Sequence, residues 1–163
     1  NAQYSAAACY SYGKGTEIDK KKAFDFYLKS AEQGFAKAQF AVAHFYEFGE
    51  GIMKRNHKMA VEWYQKAAKR SNCVAQYGLG LMYESGKGVC QNEQEAAKWY
   101  QKAANVGFKE AQIQLAKIYE KRGDYAKAKE WYHKADEQKI DSISISMLKY
   151  SSDISCPSYS MLR

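Results

Sequence analysis

The stretch Trp63–Ala68, which reads WYQKAA, decides the fold because the chain repeats it letter for letter at Trp99–Ala104. Looser copies read FYLKSA at residues 26–31 and WYHKAD at residues 131–136. A second phrase alternates with it and opens with Ala-Gln; its opening alanines lie 36, 37 and 36 residues apart, at Ala2, Ala38, Ala75 and Ala111. Two phrases that alternate at a fixed period of this length predict a solenoid of helical repeats.

The Ala-Gln phrase predicts the first helix of each repeat. When its alanine is position 0, small or aliphatic residues at positions 4 and 5 and a tyrosine at position 8 fall on one face of an α-helix. Those tyrosines are Tyr10, Tyr46, Tyr83 and Tyr119. We expect the small residues to let a neighbouring helix approach closely, while the tyrosine ring fills the remaining space.

The WYQKAA phrase predicts the second helix, because its apolar residues recur at helical spacing and form a broad apolar stripe. Paired glycines predict the end of the first helix, and they are Gly13 and Gly15, Gly49 and Gly51, and Gly86 and Gly88. Capping residues predict the start of the second helix, and they are Asp19, Asn56 and Asn92. Each unit is therefore expected to be a helix–loop–helix pair that packs against the next pair.

The pattern A-Q-x-x-L-G-x-x-Y-x-x-G-x-G-V, followed by A-x-x-W-Y-x-K-A-A-x-x-G, resembles the Sel-one-like repeat (SLR) family over about residues 2–139. That family is related to the tetratricopeptide repeats and has a longer loop between its paired helices. The resemblance implies an all-α fold, a right-handed α-solenoid of about four helix–loop–helix repeats. It also implies a non-catalytic adaptor between proteins, with roles in bacterial host interaction, envelope assembly or secretion, and in endoplasmic-reticulum quality control among eukaryotic relatives.

The predicted domain organisation is a repeat array over residues 1–140, with units of about 1–36, 37–73, 74–109 and 110–140. The fourth unit departs from the pattern, because its cap candidate Asp124 stands only five positions after Tyr119. We expect a shorter, tetratricopeptide-like loop there and two helices that still pair. For residues 141–163 we predict a degenerate capping helix and a tail, with a linear docking motif as the alternative.

The formal net charge of +7 raises the question of an anionic partner, but the 25 basic and 18 acidic residues are interspersed. A row of lysines does recur in the second phrase, at Lys29, Lys66, Lys102 and Lys134. Such a row could follow a nucleic-acid backbone, whereas lysines on the outward side of a helix favour solubility. We expect the second role and no nucleic-acid partner. No apolar run is long enough to predict a membrane span.

The four cysteines, Cys9, Cys73, Cys90 and Cys156, show no zinc-binding spacing, so we predict no metal site. In some secreted members of the SLR family a cysteine pair joins the two helices of each repeat. The resemblance places those cysteines where this chain has Ala68, Ala75, Ala104 and Ala111, so that framework is absent. A bridge between Cys73 and Cys90 stays open at this point.

No catalytic residue and no cofactor are predicted. The histidines are scattered, and none forms a recognisable local arrangement with a nucleophile and an acid. The glycine pairs follow helices rather than strands, which favours helix termination over phosphate binding. The chain opens at Asn1 inside a repeat, so we expect that a targeting region is missing, and the loop composition is compatible with a bacterial secreted or periplasmic protein.

By analogy with tetratricopeptide-like arrays, the first helices are expected to line a concave groove with positions 2, 6 and 9. The candidate partner-binding residues are Tyr4, Phe40, His44, Glu47, Tyr77, Leu81, Glu84, Ile113, Lys117 and Glu120. Apolar groups bordered by a carboxylate row suit a peptide or helix ligand. As an alternative, Tyr4, Phe40 and Tyr77 pack between neighbouring units. Self-association through exposed repeat ends, as a homodimer, is a further alternative.

Overall fold

The computed structural model describes residues 2–50 and 54–137, and this part of the chain forms eight helices and no strand. The helices are α1 (Ala2–Tyr12), α2 (Lys20–Glu32), α3 (Ala36–Phe48), α4 (His57–Lys69), α5 (Cys73–Ser85), α6 (Glu93–Asn105), α7 (Lys109–Lys121) and α8 (Tyr125–Glu137). Consecutive helices pack in pairs, and each second helix also packs on the next first helix. The predicted all-α solenoid is therefore confirmed. The predicted capping helix and tail at residues 141–163 lie outside the described residues.

The second helices begin at the capping residues that the sequence predicts. The side chains of Asp19, Asn56 and Asn92 each accept a hydrogen bond from a backbone N–H in the first turn. At the other end of the loop, Gly49 and Gly86 follow α3 and α5 with φ angles of 67° and 68°. Glycine adopts this left-handed conformation without a steric penalty, so the first helices end where the glycines stand.

Alanines surround large second-helix rings in the core. The phenol rings of Tyr27, Tyr64 and Tyr100 are among the largest fully buried side chains, with at most 2% of their surface exposed. Trp63 is 7% exposed in the same stripe. Small neighbours make room for these rings, and their burial supplies much of the hydrophobic stabilisation.

A glutamine at position 1 of each later first helix joins one unit to the preceding one. Its side-chain amide donates a buried hydrogen bond to a carbonyl in the last turn of the preceding second helix. The three bonds run from Gln39 Nε2 to Ala31 O (3.1 Å), from Gln76 Nε2 to Ala68 O (3.2 Å) and from Gln112 Nε2 to Ala104 O (3.1 Å). Buried directional bonds of this kind fix the register of one unit against the next.

The fourth unit has the short loop that the sequence predicts. Only residues 122–124 separate α7 from α8, and Asp124 Oδ1 accepts a hydrogen bond from the backbone N–H of Lys127 at 3.2 Å. The two helices pack against each other as the earlier pairs do. The solenoid therefore continues through a fourth unit with a shorter loop.

Candidate interaction surface on the first helices

The aromatic residues at position 2 lie inside the array. Phe40 and Tyr77 are buried, with 6% and 7% of their surface exposed, and Tyr4 is half-buried. Each ring contacts the second-helix tyrosine of its own unit; the centroid distances are 5.5 Å for Tyr4–Tyr27, 5.8 Å for Phe40–Tyr64 and 5.7 Å for Tyr77–Tyr100. These contacts give the rings a packing role inside their own units, whereas the alternative drawn from the sequence was packing between neighbouring units. Ile113, in the fourth unit, is half-buried.

His44, at position 6 of α3, is an interior side chain with 4% of its surface exposed. Its ring lies 4.4 Å from that of Phe48, centroid to centroid. Burial is the main cause that lowers the pKa of His44 to about 4. The negative charge of Glu50 raises this pKa, and the positive charge of Lys20 lowers it. The imidazole is therefore neutral near pH 7, and it does not form part of an exposed groove surface.

The carboxylates at position 9 form a row of hydrogen bonds with second-helix tyrosines. The hydroxyl donates to the carboxylate in Tyr64–Glu47 (2.6 Å), Tyr100–Glu84 (2.6 Å) and Tyr132–Glu120 (3.1 Å). Burial raises the pKa of Glu47, whereas its Tyr64 bond and the nearby Lys87 lower it. Sequence reasoning missed these bonds, although the glutamate and the tyrosine recur together in the same three units.

Four of the candidate residues reach the surface around α5 and α7. Leu81 is half-buried, and Glu84, Lys117 and Glu120 are exposed. The structure brings Glu84 and Lys117 together at a cleft of about 290 Å³, which is completed by Gln91, Glu93, Gln114, Ile118 and Lys121. The cleft thus carries both signs of charge beside an aliphatic side chain.

An ion-pair cluster borders this cleft. Glu93, the first residue of α6, contacts Lys121 and Arg122 at the end of α7. The hydrogen bond from Lys121 is the main reason why the pKa of Glu93 lies below its usual range. This cluster fixes one wall of the cleft, although exposed pairs of this kind contribute little to stability.

The recurrent lysines of the second helices lie over aromatic rings of their own helix. Each Nζ atom is close to a ring centroid: 3.8 Å for Lys66–Trp63, 4.1 Å for Lys102–Trp99, 4.3 Å for Lys134–Trp131 and 5.8 Å for Lys29–Phe26. An ammonium group over a ring face is attracted by the ring quadrupole. The lysine row therefore shields the outer edge of the aromatic stripe.

The described thiols are unbridged, and the open question about Cys73 and Cys90 is answered. Cys73 is buried and Cys90 is exposed, and no disulfide bond joins them. Within residues 2–50 and 54–137, no three His, Cys, Asp or Glu side chains come together as metal ligands. None of the helices in that part of the chain is long and apolar enough to cross a membrane.

A family model described as the Sel1 repeat matches residues 1–35, 36–72, 73–108 and 109–138. The chain belongs to the Sel1 repeat family. Sel1 repeat proteins are generally protein–protein interaction scaffolds, and they are typically non-catalytic. A comparison with curated protein sequences gave no significant match.

Solved Sel1-type structures share this fold. A Sel1 repeat protein from Oxalobacter formigenes is 36% identical with a TM-score of 0.78, over 84% of this chain and 58% of that one. The protective antigen c5321 of uropathogenic Escherichia coli, which displays an SLR fold, is 35% identical with a TM-score of 0.74, over 82% of this chain and 29% of that one. Helicobacter pylori cysteine rich protein B is 28% identical with a TM-score of 0.59, over 68% of this chain and 86% of that one. This chain thus spans about three fifths or less of the first two relatives.

Proposed function

We propose that this Sel1 repeat chain is a non-catalytic scaffold that binds a segment of a partner protein along its first helices. The observation that carries the proposal is the cleft where Glu84 and Lys117 meet, with both side chains exposed to solvent. The second helices of the first three units differ, because Tyr27, Tyr64 and Tyr100 are buried in packing. The surface left for a partner is therefore centred on α5 and α7.

The chemistry of this surface suits a peptide rather than a small substrate. Leu81 and Ile113 offer half-buried aliphatic groups. They stand about one helical turn before Glu84 and Lys117, which carry opposite charges. A partner segment with an apolar anchor flanked by polar groups would match this arrangement. The polar groups that line the cleft belong to Glu, Gln and Lys, and no Ser or Cys nucleophile faces a base there.

A double variant, Leu81→Ser with Lys117→Glu, tests the proposal. We expect a partner captured with the wild-type chain to bind the variant at least about tenfold more weakly, because both an apolar contact and a charge are lost. The affinity is measured by titration with the purified partner. Tyr77→Ala is unsuitable, because Tyr77 is buried against Tyr100 and its loss would disturb the fold.

The matched control is Lys98→Glu, the same charge reversal on the exposed side of α6. It is expected to leave partner binding unchanged. Circular dichroism and thermal unfolding verify that both variants keep the fold. A folded double variant that binds the partner as tightly as the wild type refutes the proposed site.

A further inference from the structure

The carboxylate on the α5 side of the cleft, that of Glu84, is held by its own unit. Its Oε2 atom accepts a hydrogen bond from the Tyr100 hydroxyl at 2.6 Å. The backbone carbonyl of Glu84 accepts another from Gln91 Nε2 at 2.8 Å. Within the part of the chain that the structure describes, Glu84 therefore lines the same cleft as Lys117 without forming an ion pair with it.

On the α7 side, Lys117 is left without a partner among the described residues. The other lysine of the cleft, Lys121, pairs with Glu93, and so does the neighbouring Arg122. Lys117 is exposed, and it makes no hydrogen bond, ion pair or ring contact with any residue that the structure describes. The other units have Ala8, His44 and Leu81 at this position. A basic group at position 6 is thus particular to the fourth unit.

The cleft and its border carry a small excess of positive charge. Three cations, Lys117, Lys121 and Arg122, stand against two carboxylates, Glu84 and Glu93. The whole chain has the same sign, with a formal net charge of +7. An anionic group of a partner is therefore attracted to the cleft, and a cationic group is repelled.

The size of the cleft limits which anion fits. Its volume of about 290 Å³ lies at the lower end of cavities that hold a whole drug-sized molecule, about 300–1,000 Å³. The cleft therefore has room for one or two side chains of a partner. A phosphate group, with its charge near −2, would bring more negative charge beside Glu84 and Glu93 than one unpaired ammonium group offsets. A carboxylate, with a single charge, matches Lys117.

We propose that the cleft selects its partner segment by an aspartate or glutamate whose carboxylate pairs with Lys117. This inference rests on the proposed function, a scaffold that binds a protein segment here, and adds the sign of the charge that the segment carries. A charge-assisted hydrogen bond from the ammonium group fixes the position of the acidic residue. An apolar residue beside it in the partner contacts Leu81, about one helical turn before Glu84.

Random peptides displayed on phage serve as the probe for this preference. They are selected separately on the wild-type chain, on Lys117→Glu and on the control Lys98→Glu, which reverses an exposed charge of α6. Peptides that Leu81→Ser no longer binds are the ones that use the proposed surface. We expect them to share an aspartate or glutamate on the wild type and on the control, and a lysine or arginine in its place on Lys117→Glu.

A double-mutant cycle on one selected peptide measures the pair itself. Replacing the acidic residue of the peptide by its amide should weaken binding to the wild-type chain about fivefold or more, and should leave binding to Lys117→Met almost unchanged. Isothermal titration measures the four affinities. Circular dichroism verifies that each variant keeps the fold.

The inference and the proposed function fail in different ways. If no selected peptide depends on Leu81, the scaffold surface is refuted and the inference with it. If Leu81→Ser abolishes binding but the peptides show no preference for an acid, or Lys117→Glu selects the same peptides, the scaffold stands and the inference is overturned. Tighter binding of a peptide with phosphoserine in place of its acidic residue would assign the cleft to a phosphate group and would also overturn it.

Discussion

At Ser71 the backbone adopts a left-handed conformation with φ 61°, and among the described residues it is the only non-glycine residue with positive φ. The equivalent residues of the neighbouring units are Gly34 and Gly107, with φ 84° and 89°. We predict that Ser71→Gly raises the free energy of unfolding by about 0.5–1 kcal/mol, because glycine adopts this conformation without the Cβ clash. Guanidinium denaturation measures the change.

The reverse substitution, Gly107→Ser, is the control for Ser71→Gly. It should lower the free energy of unfolding by a comparable amount, since Gly107 has the same role after α6. If both substitutions shift stability in the same direction, backbone conformation is not what distinguishes these positions.

Individual residues also show what the sequence could predict and what it could not. The caps and glycine terminators could be predicted because a cap acts on the first turn of its own helix. The burial of Phe40, His44 and Tyr77 could not, because it depends on how closely neighbouring units approach. Tyr77, for example, also contacts Phe108, the residue that precedes α7, 5.3 Å away between centroids. The period of one helix carries no information about that distance.

The helix α3 carries a buried titratable group, His44. The packing of α3 against its neighbours removes this group from water and so makes stability depend on pH. Since the pKa of His44 is lowered to about 4, the unfolded chain binds a proton between pH 6.5 and 4 that the folded chain does not. Stability is therefore lost as the pH falls through this range, by up to about 3 kcal/mol. The third unit has a leucine, Leu81, at the equivalent position. We predict that His44→Leu makes the free energy of unfolding depend less on pH. Unfolding free energies between pH 4 and 7 measure it.

Glu47, one turn further along α3, provides the contrast for the His44 variant. Burial raises the pKa of Glu47. Its contribution to the stability of the fold is therefore present at low pH and is lost as the pH rises through the pKa of the folded state. The two groups thus act in opposite directions. A His44→Leu chain that loses as much stability as the wild type on acidification would show that other groups dominate.

Between helices, the junctions were only partly predictable. The recurring Ala-Gln pair indicated a common role, and the small residue at position 0 predicted close approach. The Gln76 amide donates its hydrogen bond to the carbonyl of Ala68. The sequence could not indicate this acceptor, because every residue has a backbone carbonyl. The bond from Tyr64 to Glu47 joins two helices through residues of both phrases, so neither phrase alone indicates it.

At the scale of the whole array, the described end helices α1 and α8 bury the fewest residues. The helix α4 buries Ala60, Val61, Trp63, Tyr64, Ala67 and Ala68, whereas α8 buries only Ala128 and Ala135. Local opening is easiest where few apolar contacts must break. We predict that backbone amides of α8 exchange with solvent on the order of tenfold faster than those of α4, as hydrogen exchange with mass spectrometry measures.

The helix α6, which has neighbours on both sides, serves as an internal reference and should exchange about as slowly as α4. Exchange in α8 as slow as in α4 would contradict the prediction. It would also mean that a further element covers α8, as the sequence predicts for residues 141–163.

The glutamine bonds at the unit junctions have a consequence for how such a chain can change its length. The bond from Gln76 to Ala68 and the bond from Gln112 to Ala104 join equivalent atoms at successive junctions. A gene duplication that copies residues 73–108 in frame would therefore create a new junction from parts that already fit each other. Recombination by whole units can lengthen or shorten the protein without new core residues. The surface residues of the copies are then free to diverge.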